Sequence, residues 1–275
     1  MPQRHGVKSQ ARGDGTVGKA LDVLDLVAGF GRPVRFSELQ GHSAFPKATL
    51  YRLLQTLTSQ GMLRVEPETG SYALGVRLVR LAHMAWQTTS LAPIARPHID
   101  ALSAEVGETV HLAQLDHAQV LYVDKRNARV PVQMYSQAGK VGPAYCTGVG
   151  KAMLAFLPEA ELGDILRQQS FHRFTPNTLT SAEALRAELA AIRARGHAFD
   201  AEEHEPGIIC IAMPVLTASG HVLGALSVTA TTAHRSLAQL GELAPSLRET
   251  AHRIARDVAN WRFPDRTSQP FSRTG

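Results

Sequence analysis

Cysteine is scarce: Cys146 and Cys210 are the only two in 275 residues. Two thiols cannot build the multi-bridge framework of a small secreted domain, and no CxxC pair is present to hold zinc, so disulfide scaffolds and zinc modules are excluded. Long apolar runs are missing as well. The longest, Ile208 to Leu216, is nine residues, about half of what a membrane-spanning helix needs, so no membrane partner is expected. The start of the chain, MPQRHGVKSQARGDG, is basic but lacks the apolar segment that comes after the basic start of a secretory signal. A cytoplasmic location is therefore expected, with both thiols reduced. Charge is modest too. DEKR residues make up 19% against 44% apolar, a balance that packs a core instead of leaving the chain disordered. At this length two ordinary domains are expected.

What charge there is lies unevenly. Residues 1–90 hold 11 Lys and Arg against 6 Asp and Glu, whereas residues 91–275 hold 18 of each, so the whole excess of +5 sits in the first third. A basic first third joined to a neutral remainder fits a nucleic-acid-binding module attached to something else, although a solvated basic face would give the same count.

Residues 1–15 read as a flexible polar arm. Thr16 can then cap a helix whose Val17, Leu21, Leu24 and Ala28 repeat at helical spacing, with Leu26 and Val27 widening the stripe, until Gly29, Gly31 and Pro33 stop it. Ser37 offers a second N-cap for a short helix around Glu38 to Gln40, closed by Gly41. Pro46 fits the first turn of a third helix, in which Leu50, Leu53, Leu54 and Leu57 form the buried face. The opposite face carries Lys47, Thr49, Arg52, Gln55 and Thr56, with Ala48 and Tyr51 near its start. Arginine bonds guanine bidentately, Thr and Ala methyls pack on thymine, and lysine with the helix N-terminus attracts phosphate. Next, Leu63–Glu66 and Ser71–Leu74 flank the turn Pro67-Glu68-Thr69-Gly70, a β-hairpin pattern. Three helices and a hairpin make a winged helix-turn-helix over residues 16–78, with the third helix in the major groove of double-stranded operator DNA. Ser37, Lys47, Ala48, Thr49, Tyr51 and Arg52 are the candidate contacts, and Arg64 in the wing is expected to touch phosphate. A winged helix that docks on protein is the alternative, making the chain a small-molecule-binding module without DNA readout.

Val76, Val79, Leu81, Ala82, Ala85 and Trp86 continue helically, and a linker helix is expected over 79–92, ending where Ser90 and Pro93 interrupt the pattern. It is more apolar than a solvated linker requires, so it packs on the first helix or on a partner chain. Reading two half-sites also calls for two copies, a homodimer or a dimer of dimers.

Residues 93–262 read as an α+β domain, an antiparallel sheet flanked by helices. A helix is expected over Ile94–Gly107 with Ile94, Ile99, Leu102 and Val106 inward. Strands come next at Thr109–Leu115 and Gln119–Asp124 around the turn Asp116-His117-Ala118, then a short run at Val130–Tyr135. Thr180 and Glu183 form a capping box for a helix with Leu185, Leu189 and Ile192 inward. Two long strands, Ile208–Leu216 and Val222–Ala230, meet at Ser219-Gly220. A last helix carries Leu247, Ala251, Ile254, Val258 and Trp261, and 263–275 reads as a frayed tail.

Chemistry concentrates in a few places in this second domain. The segment Cys146-Thr147-Gly148-Val149-Gly150-Lys151 exposes backbone N–H groups at the start of a helix, where an anion fits. It is not a Walker A loop, because Lys151 is followed by Ala152 and the first glycine position is Tyr145. A small carboxylate suits it better; a plain strand-to-helix turn is the alternative. Ser227 and Thr229, two apart on a strand, face the same way and need polar partners. Cys210 with His204 and Asp200 or Glu203 supplies the residue types of a thiol hydrolase. Cys210 lies in an apolar strand-like run, however, where a thiol is unreactive, so no enzyme is expected. The histidines form no tight ligand pair, His111 reads as a satisfied core or pocket residue, and neither metal nor cofactor is expected.

The segments PKATLYRLLQTL, YCTGVGKAMLAFLP, RGHAFDAEEHEPGIICIAMPVL and GALSVTA together resemble the IclR family of bacterial transcriptional regulators, from about Thr16 to Trp261. The resemblance implies a DNA-binding domain, a linker helix and a GAF-like effector domain, assembled as a dimer or dimer of dimers. It further implies a repressor of a catabolic operon that responds to a small organic, aromatic or sugar acid. Positions matching Gly148, Val149, Asp200, Cys210, Ser227 and Thr229 line the family's effector pocket. Asp200 repels an anion, so the effector's carboxylate is expected at the backbone N–H groups, leaving a hydroxyl or keto-hydrate to face Asp200.

Overall fold

The computed structural model of the chain describes residues 15–129 and 134–260, and of residues 86–89 the backbone alone. The chain divides into two compact units, Met1–Thr88 and Thr89–Gly275.

The first unit contains α1 (Thr16–Gly29), α2 (Phe36–His42), α3 (Lys47–Ser59), β1 (Leu63–Val65), β2 (Tyr72–Leu74) and α4 (Val76–Thr89), which begins before residue 79 and runs to the unit's end. Leu50, Leu53, Leu54 and Leu57 are buried on α3, as their spacing requires, each contributing about 1.5–3 kcal/mol of apolar burial. They meet Val23, Leu24 and Val27 of α1, Leu39 of α2 and Leu63 of β1. Strands β1 and β2 pair antiparallel across a turn that ends at Gly70 with φ of 64°, a conformation open to glycine. Val34 exchanges two backbone hydrogen bonds with Tyr72, adding a third short rung to the wing.

Three sequence expectations change here. The N-cap position of α1 is Gly15, and Thr16 is already helical. Val17 and Leu21 do not join Leu24 in the core but stand 74% and 54% exposed. The apolar arc of α1 is wider than the core can cover, and the face through Val23 and Val27 wins. The N-cap position of α2 is Arg35, so Ser37 lies inside the helix, and Glu38 reaches back to the Arg35 N–H at 3.3 Å.

The second unit is a six-stranded antiparallel sheet in the order β5-β4-β3-β8-β7-β6. Its strands are β3 (Thr109–Asp116), β4 (Gln119–Arg126), β5 (Val141–Pro143), β6 (Ala198–Ala201), β7 (Ile208–Leu216) and β8 (Val222–Thr231). The turns at His117 and at Gly220 stand where the sequence puts them, with φ of 54° and 84°. Helices α5 (Ala92–Val106) and α10 (Ala244–Asn260) pack on each other and on the sheet, while α6 (Gly148–Leu154) packs on β6, β7 and β8 and against α8 (Ala182–Arg195). Val110, Ile211 and Val228 are buried and alternate with Ala113, Ala212 and Ala225 of the α6 cluster, so the two helix layers cover opposite faces.

Helices α7 (Glu159–Gln168) and α9 (Leu237–Gly241), and strands β5 and β6, escape the sequence pattern. Strand β6 escapes it because Asp200 sits in a buried position. The cap of α8 is Ser181, whose hydroxyl accepts the Ala184 N–H at 3.1 Å, not Thr180; with Ala184 at the third position the reciprocal half of a capping box is absent. On α5, Ala92, Ala95, Ile99 and Leu102 are buried, whereas Ile94 and Val106 are half-buried. Most of the run expected at Val130–Tyr135, together with Trp261, the tail and the arm before Gly15, lies outside the described residues. No helix among the described residues is long and apolar enough to cross a membrane.

Candidate functional site

Each unit carries one candidate site. In the first, α3 turns Lys47, Ala48, Tyr51, Arg52 and Gln55 outward, opposite its buried leucines. Among the described residues Lys47 and Arg52 have no acidic partner. Tyr51, 51% exposed, stands edge-on to Phe36 with ring centres 6.0 Å apart, and its hydroxyl accepts the Gln55 amide at 2.7 Å. This fixes the ring beside Arg52. Thr49 is only half-buried rather than fully displayed, and the Thr56 hydroxyl is spent on the Arg52 carbonyl at 3.0 Å. Ser37 is exposed on α2. Arg64 projects from β1 but already holds Glu66 at 3.2 Å, so any other anion must compete with that carboxylate.

In the second unit the register of four strands gathers the pocket. Asp200 on β6 pairs with Cys210 on β7, Cys210 with Thr229 on β8, and Ser227 with His111 on β3. All five face the N-terminal end of α6 and line one cavity of about 30 Å³ with Thr147, Gly148 and Val149. Gly148 and Gly150 make this closeness attainable. A Cβ on Gly148 would stand 2.4 Å from the Cys210 sulfur, and one on Gly150 2.3 Å from the Ala144 carbonyl oxygen. The first N–H groups of α6 have no partner within the helix, and Gly148 and Val149, which carry two of them, line the cavity.

Polarity in this pocket is already partly assigned. Both ring nitrogens of His111 are bonded, Nδ1 with the Thr229 hydroxyl at 3.2 Å and Nε2 with the Ser136 hydroxyl at 2.8 Å. Burial holds its pKa down to about 3, so the ring is neutral. The Ser227 hydroxyl makes no hydrogen bond among the described residues. Asp200, 7% exposed, accepts the Glu203 N–H at 2.8 Å, and burial raises its pKa to about 7 against that bond. Behind the pocket, Lys151 is 1% exposed and bonds Glu203, whose pKa is pushed up by burial and pulled back by the lysine. Lys151 therefore faces a carboxylate of its own chain and not the cavity.

Six expected pocket residues, Gly148, Val149, Asp200, Cys210, Ser227 and Thr229, thus meet around one cavity. Thr147 of the expected anion loop and His204 join them, and sequence reasoning missed Tyr122, Tyr135, Ser136, Glu205 and Ile208, which with His111 complete the lining. At the rim, the Tyr135 N–H donates to Glu205 at 3.1 Å, and the His204 ring lies 5.2 Å from Tyr135 and 4.8 Å from Phe174. His204 is thus engaged at the rim and makes no hydrogen bond to Cys210 among the described residues, while burial pushes the Cys210 thiol up. No group of three or more metal-ligating side chains occurs among the described residues.

Both units match known families. A family model described as "Bacterial transcriptional regulator IclR C-terminal" matches residues 83–256, and one described as "IclR helix-turn-helix domain" matches residues 16–67. The chain is 33% identical over 241 residues to the HTH-type transcriptional regulator XynR of Escherichia coli (strain K12), covering 88% of this chain and 96% of that one. It is 31% identical over 213 residues to the transcriptional repressor IclR of the same organism, covering 77% and 78%. The crystal structure of the Thermotoga maritima IclR is similar with a TM-score of 0.72 at 29% identity, covering 88% of this chain and 98% of that one.

Proposed function

Because this chain belongs to the IclR family of bacterial transcriptional regulators, we propose that it is a repressor of a catabolic operon whose hold on operator DNA is changed by a short organic acid bound in the second unit. The observation that carries this reading is the separation of two unlike sites: an exposed cationic face on α3, and a buried cavity edged by unpaired N–H groups on α6. Lys47 and Arg52 meet phosphate or guanine, Ala48, Thr49 and Tyr51 read base edges, Ser37 supports them from α2, and Arg64 reaches phosphate once it leaves Glu66.

The effector's carboxylate sits on the Gly148 and Val149 N–H groups, and its hydroxyl or hydrated keto group faces Asp200, with Ser227 and Thr229 at the floor. A cavity of about 30 Å³ holds about two or three waters, so it must widen for any acid and widens least for a short one. That favours an acid of roughly two to four carbons over an aromatic or sugar acid. Exposed Val17 and Leu21 on α1, and Val76 and Val79 on α4, supply apolar surface for a second copy, as two half-sites require. The effector shifts the balance between DNA-competent and DNA-incompetent arrangements through α4, which needs unequal affinity for the two.

Binding of the purified protein to its own upstream DNA at near-physiological salt, with glycolate, lactate, glyoxylate and pyruvate beside aromatic and sugar acids, tests the proposal. A discrete footprint whose affinity changes with one short acid is the expected result. Binding that ignores sequence and every acid favours a protein-docking winged domain instead.

A further inference from the structure

The pocket assigned to the acid effector contains more carboxylates than cations, and the proton coupling inferred from this imbalance rests on that assignment. Asp200 is buried against the start of α6, its Cβ 3.6 Å from where a Cβ on Gly148 would lie. One of its oxygens takes the Glu203 N–H, and the other has no hydrogen-bond partner among the described residues.

The charges packed around it are negative on balance. From the loop after β6 come Glu203 and Glu205; from α6 comes Lys151, already bound to Glu203, whose second oxygen is buried without a partner. The one further cation on this side among the described residues is half-buried Lys125, opposite His111 across β3 and β4; burial pulls its pKa down and Glu205, its acidic neighbour, pulls it back, which leaves three carboxylates against two lysines. The remaining titratable neighbours are neutral: burial keeps Cys146, Cys210 and Tyr122 protonated, holds His111 uncharged near neutral pH and pushes His204 down. An acid anion on the Gly148 and Val149 N–H groups shares a cavity of about 30 Å³ with Asp200. Two carboxylates so close do not both stay ionised; one shared proton removes the repulsion and turns one of them into a donor.

We infer that the effector enters together with one proton from solvent, which rests on Asp200, so that the pocket receives an acid anion against a neutral carboxylic acid that donates a hydrogen bond to the ligand's oxygen. No covalent bond forms or breaks. Burial already brings Asp200 to the edge of this state, with a pKa of about 7 before any anion arrives, and the approaching anion raises it further. The effector's own carboxyl, near the usual range of about 3–4, stays ionised throughout, so the linked proton belongs to the protein.

Isothermal titration calorimetry of the full chain with glycolate, lactate, glyoxylate and pyruvate, at pH 6 and pH 8, tests the inference. A second set at pH 7 compares PIPES with imidazole, whose ionisation heats differ. Binding of the responding acid about tenfold weaker at pH 8 than at pH 6, together with a buffer-dependent heat at pH 7 equal to uptake of about half a proton, since Asp200 is already about half protonated there, is the expected result. Asp200→Asn, checked by a cooperative melt, should bind that acid equally at both pH values. Equal affinity at pH 6 and 8 without a buffer-dependent heat overturns the proton coupling and leaves the pocket assignment standing. The same pH dependence in Asp200→Asn overturns the role of Asp200. If none of the four acids binds at pH 6, the assignment of the pocket itself fails, and the proton coupling falls with it.

Discussion

Helices α3 and α6 open on similar residues, small side chains and one lysine, yet Lys47 is exposed without an acidic partner among the described residues, while Lys151 is 1% exposed and bound to Glu203. A lysine in water is held by a flexible stem and offers its charge to any polyanion that comes close. A lysine inside the fold had to be paired before it could be buried. The same residue type therefore advertises charge in one unit and is consumed in the other. On the function proposed above, the α6 pocket holds its anion by backbone N–H groups and not by this lysine.

The largest difference should appear in stability. Lys151→Met strands the Glu203 carboxylate in the interior and should cost about 3–5 kcal/mol, much of it regained in the double variant Lys151→Met/Glu203→Leu. Lys47→Ala should stay within about 0.5 kcal/mol of the parent. Chemical denaturation of the three variants measures this, and equal losses for Lys151→Met and Lys47→Ala would erase the contrast.

Asp200 should come next. Its pKa is raised from the ordinary 3.8 to about 7 in the fold, so the native state binds more protons than the unfolded chain between those values. Its contribution is most favourable below about pH 4 and is lost as pH rises through 7. The parent protein should therefore lose stability relative to Asp200→Asn between pH 4 and pH 8, by at most about 4 kcal/mol. A constant difference between their melting curves across that range would mean that Asp200 stays ionised. No equivalent pH dependence should arise from Lys47→Met or Arg52→Met.

Two glycines extend the comparison to backbone packing. Gly148→Ala drives a methyl to 2.4 Å from the Cys210 sulfur and should cost about 1–3 kcal/mol, along with any response of DNA binding to acid. Gly41→Ala, inside α2 with no atom within 4 Å of the new methyl, should instead be neutral or gain up to about 1 kcal/mol from helix propensity. Urea midpoints of the two variants shifting in the same direction would contradict the packing described for α6.

Legibility in the sequence tracks the reach of each interaction. The leucine stripe of α3, the turns at His117 and Gly220 and the long strands β7 and β8 depend on neighbours a few residues away, and periodicity shows them. Ser227 and Thr229 share a face because a strand repeats every two residues. The pairing of Lys151 with Glu203 spans 52 positions and leaves no local pattern. Nor does the bond of Tyr135 to Glu205, 70 apart, which brings the rim together. Periodicity misplaces Val17 and Leu21 because it shows that a face is apolar and says nothing of whether its own unit is large enough to cover it. The caps at Ser181 and Gly15 differ from Thr180 and Thr16 by one residue, since adjacent Ser, Thr and Gly compete for the same position and the tertiary path decides.

The smallest effects should separate readers from anchors on the exposed face itself. Lys47, at the first position of α3, reaches outward with no acidic partner among the described residues, and a lysine so placed meets phosphate as a point charge. Lys47→Ala should weaken every DNA sequence alike and lower the slope of log affinity against log salt by about 0.9 for each phosphate that the lysine neutralises. Thr49 is half-buried, so only its methyl or hydroxyl edge is available to a base. Thr49→Ala keeps a methyl-sized group at Cβ and should leave the salt slope unchanged. Its loss should fall on one base position, toward the lower end of the about 1–3 kcal/mol that a mismatched pair costs. Affinities for a set of single-base operator variants at two salt concentrations distinguish the two. If Thr49→Ala flattens the salt slope, or Lys47→Ala changes base preference, then α3 lies in the groove at a different angle from the one its exposed face implies.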